Sequence, residues 1–288
     1  MAKNLIGNVD NLSSSFLSRR ALRRVTATAA LLCSSLFFLL SCDTTVVTPP
    51  KPVYFRAAGS STLQSLFIKL SETYSRAHPQ VSFDVTGGGS TLGLELVETG
   101  QIEIGLVSWS PQPLDSRLRL VPLGQDAVAI ITHPENPLPN LPVATLRDIF
   151  NGKVLNWQVI GGSDLAVQVV SREDGSGTRS AFEAAVMDNQ PVTPTAVVQP
   201  GSQAVVEYVA QNPGAVGYVS AAFADDQVHV VPIEGVLPTF EALQTRQYPL
   251  RSDLALVVAQ NPPAELEEFL RFVTSPAGRQ IIESWQGR

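Results

Sequence analysis

Val169-Val170-Ser171-Arg172-Glu173-Asp174-Gly175-Ser176-Gly177-Thr178, followed by Phe182, Ala185 and Val186, holds a complete structural unit. A β-branched run meets a polar, glycine-rich turn, and apolar residues then return at helical spacing, which predicts strand, loop and helix. The same unit occurs twice upstream. Val53, Phe55 and Ala57 alternate before Gly59-Ser60-Ser61-Thr62, and Leu63, Leu66, Phe67, Leu70 and Tyr74 continue as a helix face. Val81, Phe83 and Val85 precede Gly87-Gly88-Gly89-Ser90-Thr91, with Leu92, Leu96 and Val97 running to a stop at Gly100. Strands alternating with helices predict an α/β protein with mainly parallel pairing.

Between the second and third units, His133 to Pro142 carries four prolines, too many for a helix or a central strand. This segment is expected to cross into a second lobe. A short helix follows, with Thr145 as its cap, Leu146, Ile149 and Phe150 inward, and Gly152 at its end. Ser202 is expected to cap another helix that buries Val205 and Val209. Asn212-Pro213-Gly214 stops it, and Ala215 to Val219 leads back as a strand. Asn261-Pro262 and Ser275-Pro276 each look like a cap with a first-turn proline, opening two final helices.

The chain has 288 residues, 44% apolar and 16% charged, with a net charge of −6, which excludes disorder, coiled coil and collagen-like repeats. No basic stripe follows residue 24, so nucleic acid is not an expected partner. Arg19, Arg20, Arg23 and Arg24 precede an uncharged run from Val25 to Leu40 that is shorter than the roughly 20 residues of a membrane span. That pattern predicts a secretory signal over residues 1–41, with a signal-anchor helix as the alternative. Leu39-Leu40-Ser41-Cys42 resembles a bacterial lipobox, which makes Cys42 the expected lipidation site and residues 42–52 a proline-rich tether. Removing 1–41 takes five bases and one acid from the net charge of −6, leaving −10, and leaves Cys42 without a disulfide partner.

Strand-to-helix turns rich in Gly, Ser and Thr suit anions, because a helix start presents unpaired N–H groups and a partial positive charge. Ser and Thr are also ordinary helix caps, so a single such turn says little. Three in one chain are less ordinary. Arg172 adds a forked cation suited to a tetrahedral oxyanion, and a surface pair with Glu173 or Asp174 is its other possible role. The acidic chain repels anions at long range, so recognition has to be local. Charge-assisted hydrogen bonds contribute about 1.5–3 kcal/mol each. Roughly ten of them offset an association cost of about 4–15 kcal/mol and leave micromolar affinity or better.

Taken in order, these loops, Ile104-Gly105-Leu106-Val107-Ser108 and Arg172 to Arg179 resemble the phosphate-binding subunits of bacterial phosphate ABC importers. Phe150 to Trp157 and Asn212 to Tyr218 resemble two further segments of that family. The resemblance implies a periplasmic-binding-protein type II fold, two α/β lobes with a ligand cleft between them. The first lobe would comprise 53–132 and 219–288, and the second 133–218. It also implies that Thr62, Leu63 and Ser90 face Arg172, Ser176, Gly177 and Thr178 across inorganic phosphate. Ser61 and Gly89 join them as neighbours. Many members of that family carry an aspartate where Ser108 aligns, an acceptor for the proton of hydrogen phosphate. Ser108 can accept or donate, so sulfate, molybdate and tungstate stay open as ligands. The implied protein is a monomer that serves ABC importer membrane subunits from the outer side of a membrane, held to the bilayer through Cys42. It needs no cofactor or metal.

Enzyme readings find little support in the residues. No Gly-x-Ser-x-Gly elbow is present, and His78, His133 and His229 stand apart in turn or strand contexts. No His or Cys cluster suits zinc, and Leu92 stands where a dinucleotide fingerprint needs its third glycine. The remaining alternative is a surface lipoprotein of the same fold used in adhesion or signalling, its loops being no more than capped helix starts.

Overall fold

The computed structural model describes residues 51–109 and 113–286. The expected signal over 1–41, the lipidation site Cys42 and the tether up to Pro50 lie outside the described residues. Among the described residues nine strands form one sheet: β1 (Val53–Gly59), β2 (Val81–Thr86), β3 (Ile104–Val107), β4 (Leu118–Thr132), β5 (Gln168–Arg172), β6 (Val197–Gln199), β7 (Ala215–Ser220), β8 (His229–Val231) and β9 (Arg251–Ala259). Their order is β2-β1-β3-β9-β4-β7-β5-β6, with β8 beside β4.

Pairing departs from the mainly parallel expectation. β1 pairs β2 and β3, and β5 pairs β6 and β7, in parallel. β9 runs antiparallel to β3 and β4, and β4 antiparallel to β7 and β8. Each of these antiparallel pairs involves β4 or β9. β4 is long enough to serve both: Leu118 to Ala127 lies along β9, and Val128 to Thr132 lies between β7 and β8.

Two large cores flank this crossing. The first packs α1 (Ser61–Ala77), α7 (Ala264–Thr274) and α8 (Pro276–Gln286) on their strands, with Leu66, Phe67, Leu70, Tyr74, Phe269 and Trp285 inside. Phe269 stands 4.5 Å from Phe83 and 5.6 Å from Phe67, centroid to centroid, the offset and edge contacts aromatic rings favour. The second joins α3 (Val143–Phe150), α4 (Gly177–Val186) and α6 (Phe240–Gln244) around Phe150, Trp157, Phe182 and Tyr218. It continues through Ile233, Leu243, Tyr248 and Leu250. Within the stretch assigned to the first lobe from sequence, Val231, Ile233, Leu243, Tyr248 and Leu250 pack in the second core, while Ala222 and Phe223 pack against the first. Local periodicity marks elements but not which core an element joins. α2 (Ser90–Glu98) and α5 (Ser202–Gln211) cover the opposite sheet faces with Val97 and with Val205, Val206 and Val209.

Several caps differ from expectation. Thr145 lies inside α3, whose cap is Pro142, and Ser202 is the first residue of α5, capped by Gly201. The cap of α7 is Pro263 rather than Asn261. Ser275 behaves as expected, its Oγ accepting from Gly278 N at 3.3 Å. Leu92, expected on the buried face of α2, is exposed, and Gly93 is buried in its place. A Cβ on Gly93 would come 2.5 Å from Ala58 O, so glycine is what lets α2 lie against β1.

Candidate functional site

The strand-to-helix turns meet at one place. Thr62 Oγ1, in the first turn of α1, lies 3.2 Å from Thr178 Oγ1 in the first turn of α4. Ser90, which opens α2, lies 3.3 Å from Ser108 Oγ and accepts from Ser108 N at 3.1 Å. Ser60 Oγ donates to Ser108 Oγ at 3.1 Å. Ser60, Thr62, Ser90, Ser108, Ser176 and Thr178 are all buried. The loops also touch through their backbones, since Thr91 N donates to Gly175 O at 3.2 Å. Gly89 has φ +89° and a Cβ there would sit 2.8 Å from Gly175 O, so this approach requires glycine. Gly177 leaves room for side chains instead: a Cβ there would come 2.3 Å from Ser108 Oγ and 2.5 Å from Ser90 Oγ.

Two of the serines also serve their own helices. Ser60 Oγ accepts from Leu63 N at 3.4 Å and Ser176 Oγ from Arg179 N at 3.3 Å. Leu63 gives its amide to that cap and its side chain to the first core. Gly89 and Gly201, by contrast, cap α2 and α5 without a side chain. None of α1, α2, α4 and α5 has an acid in its first turn, nor do α3 and α8, whereas α6 carries Glu241 and α7 carries Glu265 and Glu267 there. The usual carboxylate neutralisation of a helix N-terminus is missing from the four helices that meet.

Arg172, at the end of β5, is buried and fully oriented. Its Nε and Nη2 donate to the Glu173 carboxylate at 2.9 and 2.8 Å, a bidentate pair. Nη2 also donates to Ser61 Oγ at 3.0 Å and Nη1 to Ser202 Oγ at 3.2 Å. Of the two roles foreseen for Arg172, the pair with Glu173 forms, with the guanidinium buried and the carboxylate partly exposed. Because Ser61 and Ser202 accept from Arg172, their hydroxyl hydrogens are left to point elsewhere. Asp174 is engaged by Arg179 Nη1 at 2.6 Å, and the same nitrogen donates to Arg172 O at 3.1 Å.

The aromatic segments support this arginine. Tyr218 Oη, buried on β7, lies 2.7 Å from Ser171 Oγ and accepts from Arg172 N at 3.2 Å. Burial pushes its phenol up to about 12, so it stays a neutral hydroxyl. The Tyr218 ring stacks on Phe182 of α4 at 4.2 Å, which ties β7 to the helix that presents Thr178. Trp157 Nε1 donates to Gly214 O at 2.9 Å and fastens the Phe150-to-Trp157 segment below. The histidines have structural partners: His78 stacks on Tyr74, His133 Nδ1 accepts from Glu135 N, and His229 Nε2 meets Leu138 O.

All the expected site residues, Ser61, Thr62, Leu63, Gly89, Ser90, Ser108, Arg172, Ser176, Gly177 and Thr178, therefore belong to one region. Sequence reasoning took Ser202 for a cap only, and Ser60 and Tyr218 for parts of motifs without a role. Ser202 had a signal, because Val197 to Gln199, Gly201 and Ser202 repeat the strand, glycine and serine order of the other turns.

With this geometry in place, likeness to known proteins has a physical meaning. The model of the PBP superfamily domain matches residues 46–277, and the chain belongs to that superfamily. Its relatives include the phosphate-binding protein PstS of Bacillus subtilis, 28% identical over 240 residues, covering 80% of this chain and 78% of the relative. A Clostridium perfringens structure, described as a phosphate ABC transporter substrate-binding protein with bound phosphate, superposes with a TM-score of 0.77 at 30% identity. It covers 81% of this chain and 98% of that one. An ABC-type phosphate transport receptor from Vibrio cholerae gives a TM-score of 0.70 at 28% identity, covering 80% and 98%. The resemblance carried by the motifs is borne out.

Proposed function

We propose that this chain is an extracytoplasmic solute-binding protein that captures inorganic phosphate, or a tetrahedral oxyanion of similar shape, and delivers it to the membrane subunits of an ABC importer. The observation that carries this reading is the meeting of four helix starts, free of first-turn acids, around buried hydroxyls and an oriented Arg172. Such an arrangement replaces the hydration of a small anion with fixed donors. Thr62, Ser90 and Thr178 act as donors, with Ser61 and Ser202 turned toward the ion by Arg172. Ser108 takes the place of a carboxylate acceptor, which widens the ligand class beyond hydrogen phosphate.

Charge in the site supports the same reading. Glu173 offsets Arg172, so the ion's charge is met chiefly by helix dipoles and hydroxyl dipoles. In this proposal the protein acts as a monomer without catalytic function, and lipid on Cys42 holds the domain at the membrane through the tether of residues 42–52. The test is calorimetric titration of the purified protein with phosphate, sulfate, molybdate and tungstate. Saturable binding of at least one with micromolar or tighter affinity is expected, and absence of binding to all four ends the reading.

A further inference from the structure

The chain has three tryptophans, and their indole N–H groups are treated differently by the fold. Trp157 Nε1 donates to Gly214 O at 2.9 Å and Trp285 Nε1 to Ser65 Oγ at 3.0 Å. Trp109 Nε1 is buried and finds no hydrogen-bond partner among the described residues. A buried donor left without a partner is destabilising, so one that persists calls for a reason. Its position supplies one. Trp109 follows Ser108 directly, and its Cδ1, the carbon bonded to Nε1, would come 2.7 Å from a Cβ on Gly177. The same point is crowded by Ser108 Oγ and Ser90 Oγ at 2.3 and 2.5 Å. The donor edge of the indole therefore stands beside the first residue of α4, next to two hydroxyls of the candidate site.

We propose that Trp109 is a ligand-reading residue whose Nε1–H donates to the oxyanion held by this cluster. The inference rests on the oxyanion reading above and assigns it a further contact. An indole nitrogen can only donate, and an oxygen of the anion accepts that bond whether or not the ligand carries a proton. At this place the site asks nothing of the ligand's protonation, in contrast to a carboxylate acceptor. Trp109 also lines a cavity of about 560 Å³ with Ser180, Ala181, Arg251 and Ser252.

The test is Trp109→Phe in the full chain, read by calorimetry with phosphate and sulfate, together with indole ¹H–¹⁵N spectra of the unsubstituted protein. Phe retains the ring and removes the donor. Loss of one hydrogen bond to a charged group corresponds to about a 10- to 100-fold fall in affinity. The Trp109 indole resonance is expected to move downfield when phosphate is added, while those of Trp157 and Trp285, already bonded to protein, hold their positions. Affinity within twofold of the unsubstituted protein, or an unmoved Trp109 resonance at saturation, overturns this inference and leaves the oxyanion reading standing. Failure of the unsubstituted protein to bind any of phosphate, sulfate, molybdate and tungstate overturns both.

Discussion

Asp126 offers a quantitative test of how the two halves are joined. It lies in β4 opposite Ser252, one residue before that strand leaves β9 for β7, and it is buried. Loss of solvation pushes its carboxyl from 3.8 up to about 7, and the Ala127 N–H offsets only part of that rise. The folded state therefore keeps the proton to about pH 7, while the unfolded chain releases it near 3.8. Between these values the native state binds more protons, so this group's contribution to stability falls as pH rises and levels off above about 7. At about 1.4 kcal/mol per pH unit, the full shift corresponds to on the order of 4 kcal/mol, a large part of a typical 5–15 kcal/mol. Asp126→Asn preserves shape and removes the titration. Urea unfolding of both proteins from pH 4 to 8.5 should show the variant gaining on the parent by up to about 1.4 kcal/mol per unit to near pH 7, then a constant difference. Background titrations cancel in that difference. A difference independent of pH would refute the reasoning, because it would mean that Asp126 ionises in the ordinary range and is solvated.

Other outcomes follow from the site and the cores. Arg172→Ala removes the group that orients Ser61, Ser202 and Glu173 and leaves a carboxylate facing the anion; a phosphate affinity at least 100-fold weaker by calorimetry is expected, and retained affinity would remove Arg172 from the site. Ser108→Asp supplies a fixed acceptor among Ser60 and Ser90; competition titration should show preference for phosphate over sulfate rising at least about tenfold, at a packing cost of roughly 1–3 kcal/mol. Phe269→Ala empties the centre of the first aromatic cluster, and denaturant unfolding should report a loss of about 3–5 kcal/mol.

The strand-loop-helix units could be read from residue order because their causes are local. A β-branched run, a glycine-serine turn and apolar spacing of three and four specify an element whatever it packs against, and the elements containing Leu66, Phe182 and Val209 form as that pattern requires. Motif order carried the family resemblance, and that resemblance in turn marked Arg172, Thr62, Ser90 and Thr178 as candidates. What tertiary structure alone decided is who meets whom. Thr62 and Thr178 touch across 116 positions of sequence, and Arg172 reaches Ser61 across 111. Both contacts depend on how β4 registers against β9 on one half and β7 on the other. The antiparallel crossing, the second core's hold on Val231, Ile233, Leu243, Tyr248 and Leu250, the service of Ser202 to Arg172 and the Trp109 nitrogen left unpaired among the described residues have the same origin. Each is a relation between distant residues, and neither periodicity nor capping chemistry carries information beyond a turn or two of chain.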